Sequence, residues 1–233
     1  MKLGNLIDAF QPAKGPPPQT LSGFLRWALA GAWPMLILAA AISAFAGAME
    51  AGTAYILGLV IDTALASGPE AFFSGGNLIV ILGALGFFML VRPVLFGLSA
   101  ASNAIIVQPN VNPLVLSRLN RWTLGQSVRF FDDDFAGRIA QKQMQTASAV
   151  TSVATEMINV VAFALASLVG SLALLGAIDF RITFVFLLWL VGYFALIRWF
   201  LPRVRQRSGK RAGARAMVSG QVVDSITNIK TVK

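Results

Sequence analysis

The chemistry open to this sequence is narrow. It contains no histidine and no cysteine, which removes the usual general base, the commonest metal ligand and any thiolate or disulfide. No group of its carboxylates reads as a metal site or a catalytic pair, and no catalytic or metal-ligating residue is assigned. A phosphate loop of the form G-x-x-x-x-G-K-[ST] is missing as well. The nearest match, Gly209-Lys210, has Val204 and Arg211 at the other required positions and no strand before it. Two features remain. Glu50 and Arg92 are charges set inside long apolar runs, and RFFDDDFAGRI at 129–139 puts three aromatics and three aspartates between such runs.

Ionisable groups within a membrane segment are functional candidates and usually have a partner. Glu50 lies about 14 residues before the loop near Ala64, and Arg92 about 15 residues after Asn77. At about 1.5 Å per residue both sit roughly 21–23 Å from the same ends of two antiparallel helices. Matching depth predicts an ion pair, within one chain or across a dimer. It serves either to fix helix packing or to contact a substrate. Glu156 falls nearer the other end of its helix, where water reaches it.

The elements that carry these residues follow from composition. The chain is 56% hydrophobic and 12% charged, against about 25% charged in a soluble domain. Four apolar segments, at about 34–66, 78–107, 147–178 and 182–201, each reach the roughly 20 residues needed to cross a bilayer. The expected fold is an all-α, polytopic membrane protein. Residues 1–20 form a polar, Pro/Gly-ended tail and not a signal peptide. Residues 21–33 suit a short helix lying in the membrane surface with its tryptophans at headgroup level, ended by Pro34.

Lysine and arginine set the orientation. They cluster in the N-terminal segment, in the loop at about 108–146 and in the segment from 202 to 233, and the first outer loop, ASGPEAFFSGGN, has none. Both termini and the 108–146 loop are therefore expected in the cytoplasm of a multi-pass plasma (inner) membrane protein. This bias accounts for the net charge of +9, so nucleic acid is not an expected partner. The basic stretch from Arg198 to Arg215 suits anionic lipid heads instead.

The FFDDDFAG stretch then lies at a cytoplasmic reversal between two projecting helices. On its N-terminal side, Leu114, Leu116, Leu119, Trp122 and Leu124 read as the apolar face of a helix. The aspartates suit a helix start, and Gly137 permits close approach of another backbone. Capping leaves Phe130, Phe131 and Phe135 unexplained. Aromatics rimmed by charge on a wet tip mark a contact surface.

These residues resemble the first cytoplasmic loop of the transmembrane domain of type I ABC exporters. Phe130, Phe131, Asp132, Gly137 and Ile139 fit that loop's pattern. Lys142 and Thr146 replace its usual Arg and Asp. GARAMVSGQVVDSITNIKTVK resembles the second loop through Gly220, Asp224, Ile229, Val232 and Lys233, with Asp224 for Glu and Asn228 for Gly. The resemblance runs from about Leu21 to Lys233 and implies a half-transporter that exports an amphipathic compound or lipid. It further implies a second such chain, homo- or heterodimeric, and an ATPase domain that uses ATP and magnesium, neither of which this chain holds. Gln126–Gly137 would be a first coupling element docking on that domain, and a second would lie near Ala212 to Val222. Lys233 falls near the start of a fifth helix, so the sequence is read as the N-terminal part only. The rival reading is a small stand-alone four-helix carrier or scaffold.

Overall fold

A computed structural model of the chain describes residues 6–132 and 136–227. Every regular element among them is a helix: α1 (Leu21–Ala28), α2 (Trp33–Ala71), α3 (Asn77–Leu124), α4 (Val128–Asp132), α5 (Gly137–Ile178) and α6 (Phe180–Thr227). Four of them are long and apolar enough to cross a membrane. The chain is an all-α, polytopic membrane protein. At 48 residues, α3 extends about 70 Å, roughly twice the hydrocarbon thickness, so it projects well beyond the bilayer.

Local chemistry sets the breaks. The Thr20 hydroxyl accepts from the Gly23 N–H and starts α1. Gly31, with φ of 81°, lets the chain turn between α1 and α2, and Pro34 occupies the first turn of α2. Asp179 alone separates α5 from α6; its carboxylate accepts from the Arg181 N–H at 2.8 Å. Three wide π-helical turns interrupt the longer helices, at Phe87–Val91 and Ser102–Val107 in α3 and at Met157–Ala162 in α5.

The chain divides into two compact units, residues 1–174 and 175–233. In the first, the core joins the start of α2 to the middle of α3 and α5. Leu36, Ala39, Val107, Val111, Leu114 and Val150 are among its buried residues. Beside it, α2 and α5 touch backbone to backbone: a methyl group at Gly47 would overlap the Phe163 carbonyl. Small residues permit such contact, and it supplies van der Waals packing that apolar mass alone cannot give inside a lipid solvent. Phe184, Trp189 and Phe194 in the second unit are exposed on α6, as suits a helix bathed in hydrocarbon. Arg203 there folds back over Trp199, with its guanidinium carbon 4.0 Å from the ring centre.

Two expectations are corrected. Trp27 is not a free headgroup anchor. It is buried, stacks on Phe24 and donates its indole N–H to the Gly15 carbonyl at 3.1 Å. The N-terminal tail folds over this face of the helix. The second correction concerns α3. Its buried face carries Val111, Leu114, Val115 and Arg118, whereas Trp122 and Leu124 are exposed.

Candidate functional site

The charges inside the spans meet. Arg92 Nη2 stands 3.1 Å from Glu50 Oε1, bridging α2 and α3 of one chain, with the two side chains 38% and 33% exposed. The local backbone explains how Arg92 is aimed. Pro93 cannot donate a helix hydrogen bond, and the wide turn Phe87–Val91 comes just before it. The Arg92 N–H reaches back five residues to the Phe87 carbonyl. Such turns frequently mark functional positions. The guanidinium carbon also lies 5.5 Å from the Phe96 ring centre, within range of a cation–π attraction.

At the far end of α3 the chain reverses through Gly125 and Gln126. The Gln126 side chain donates to the Trp122 carbonyl, and the Phe130 N–H to that of Ser127. These bonds start the short helix α4. Its two aromatics pack edge to face, ring centres 5.3 Å apart, and remain 42% and 37% exposed. The helix holds them on the surface without burying them. Asp133, Asp134 and Phe135, with the expected aspartate cap, lie outside the described residues. Asp132 ends α4, and its side chain also lies outside them. Gly137 has nothing within 4 Å of where a side chain would begin. The close approach expected there is not to any described part of this chain. Gly220 and Asp224 fall on the backbone of α6, their side chains outside the described residues. Around them α6 runs unbroken from Phe180 to Thr227. The expected second coupling element near residues 212–222 is therefore not set off as a separate short helix. The long span simply continues through it.

Sequence reasoning missed a third cluster. Arg118 is 2% exposed and donates to four carbonyls: Nε to Gln11 at 3.0 Å, Nη1 to Trp27 and Ala28 at 2.9 Å each, and Nη2 to Ala30 at 2.7 Å. Three of these acceptors belong to the C-terminal end of α1 and the turn after it, where carbonyls lack helical partners and carry the negative end of the dipole. The rigid five-donor fork of arginine suits this arrangement. Next to it, Ser117 donates to the Ala9 carbonyl. The N-terminal tail and α1 are thereby fastened to the projecting part of α3. The signal was present in the spacing. Arg118 stands seven, four and three residues after Val111, Leu114 and Val115, on the face those residues bury.

Long apolar helices that continue past the bilayer and return through a short, surface-lying helix define a multi-pass membrane protein with a projecting helical part. The family follows from sequence. Residues 36–233 match the ABC transporter transmembrane region, and the chain belongs to that family. It is 28% identical over 219 residues to a protein of Haemophilus influenzae described as an uncharacterized ABC transporter ATP-binding protein. The match takes in 93% of this chain and 35% of that protein, so the chain spans about a third of its relative's length. No solved structure matches.

Proposed function

We propose that the chain forms part of the membrane path of an ATP-driven exporter of an amphipathic compound or lipid. It works with an ATPase domain and with a second chain of the same kind. The observation that carries the reading is the exposed Phe130–Phe131 pair on α4. It sits at the reversal between two helices that project beyond the bilayer, where motion of a docked domain would be passed to the spans. The clustering of basic residues supports a cytoplasmic side for this tip and for both termini, in a plasma (inner) membrane protein. ATP and magnesium act on the ATPase domain, since this chain offers no phosphate loop.

The test is Phe131→Ala in the intact transporter, membrane and ATPase parts together. Loss of a central aromatic anchor from an interface costs about 2 kcal/mol or more. Substrate movement per ATP hydrolysed is expected to fall at least tenfold, with membrane insertion unchanged because the ring is exposed in this chain. Unchanged coupling would remove the docking role.

A further inference from the structure

A polar trough runs between α3 and α5, and the ion pair and the tip do not account for it. Two open hollows of about 420 Å³ each adjoin at Gln108. One is lined by Asn112, Thr155 and Glu156 among others, and the next by Ser99, Asn103, Asn159, Phe96 and Phe163. On α3 the polar positions Ser99 and Asn103 are four apart, and the step from Asn103 to Gln108 is five. That longer step falls in the π-helical turn Ser102–Val107, which keeps the polar side chains on one face. Asn103 and Asn159 fall within the spans, where a polar face is costly against hydrocarbon, and Gln108 and Glu156 continue that face toward the end that water reaches, so it belongs to a wet path or to a ligand.

Three features of the trough point to a ligand and to its chemistry. Asn103 is 5% exposed, and its amide donates to Asn159 Oδ1 and to the Ser99 carbonyl, yet its own Oδ1 has no partner. Thr155 Oγ1 is likewise buried without one. Buried unsatisfied polar groups are rare and call for a partner, either a water or a ligand atom. Glu156 is an acid at one end of the trough, and no described basic side chain pairs with it. At the other end Phe96 and Phe163 meet edge to face, with ring centres 6.1 Å apart. Glu156 and Phe163 are seven residues apart on α5, about 10 Å along the helix.

We infer that this trough binds an amphipathic amine about 10 Å long. Its apolar end lies against Phe96 and Phe163, its ammonium group lies at Glu156, and its polar middle is met by Asn103, Gln108 and Thr155. The inference deepens the proposed export function by naming the charge and length of the substrate.

The test uses dansylcadaverine, a fluorescent primary amine, and its N-acetyl derivative, which has nearly the same shape and no charge. Binding to the intact transporter in nanodiscs is followed by dansyl fluorescence without nucleotide. The amine is expected to bind at least tenfold tighter than the acetylated probe. Glu156→Gln should erase that preference, Glu156→Asp should keep it, and Phe163→Leu should weaken both probes alike. Equal binding of the two probes by the native protein overturns the inference. So does a Glu156→Gln protein that still prefers the amine, in which case the trough holds only water or another helix. Because no ATP is turned over, this result is separate from the coupling test. A transporter that binds the amine selectively but does not depend on Phe131 would retain the trough and lose the tip.

Discussion

Arg118 and Arg92 sit in the same helix and are handled in opposite ways. Arg118 is buried, gives four of its five N–H groups to backbone carbonyls, and has the Asp8 carboxylate near enough to favour its charge without a close ion pair. Arg92 has a formal counter-charge, one close contact to it, and more than a third of its side chain exposed. A cation held by many fixed dipoles has no alternative arrangement of similar energy. One held by a single flexible carboxylate can exchange that partner for water or another anion. The first arginine therefore fastens the N-terminal segment permanently, and the second leaves the middle of the spans adjustable.

The largest effect is expected from breaking the fixed arginine. Arg118→Leu takes a donor from four carbonyls, of which that of Trp27 keeps a backbone bond from the Ala30 N–H, and bonds from a charged donor contribute about 1.5–3 kcal/mol each before relaxation. We expect a loss of at least about 3 kcal/mol, together with ready protease cleavage within residues 6–32. Arg118→Lys, with a compact head and no fork, should fall between. If Arg118→Leu leaves the N-terminal segment as protected as before, the clamp is not what holds it.

A smaller effect is expected at the α2–α5 seam, which fixes where Glu50 is carried. Gly47→Ala must push the two backbones apart, and such overpacking costs about 1–3 kcal/mol. A lowered thermal midpoint is predicted, whereas Gly58→Ala, which meets nothing within 4 Å, serves as the matched control. Equal midpoints for the two variants would mean that the seam yields freely.

The smallest and most informative change is at the ion pair. If Glu50 and Arg92 face water, breaking the pair costs about 1 kcal/mol or less. If they face hydrocarbon, a stranded charge costs at least about 3 kcal/mol. A loss near the smaller figure would identify water around both side chains. Glu50→Arg and Arg92→Glu should each lower membrane expression modestly, and the double swap should restore it, as coupled neighbours do. A double variant no better than the worse single one would show that the residues act separately.

How far the sequence revealed these regions follows from the kind of signal each leaves. The spans were legible because a run of about twenty apolar residues suits a bilayer crossing and little else. The level of Glu50 and Arg92 was legible because two antiparallel helices count depth from a shared end. Arg118 was not, since topology already accounts for a basic residue in a basic loop. Only its place on the Val111–Leu114–Val115 face sets it apart. The tail covering Trp27 was hidden for a related reason: amphipathic sequence looks alike against lipid and against protein. The trough escaped because its polar positions on α3 do not follow a 3.6-residue period, the wide turn at Ser102–Val107 having added to the count.

That wide turn gives α3 a place where one residue can be spared. Removing one residue between 102 and 107 would let the turn relax into ordinary helix, and Asn103 would still share a face with the residue then four beyond it, as Ser99 and Asn103 do. The same deletion in the regular helix between Gln108 and Arg118 has no wide turn to absorb it. It would swing Arg118 by about 100° away from the carbonyls it holds. Among natural variants of this chain, changes of length within α3 are expected at its wide turns and not in the regular helix between Gln108 and Arg118.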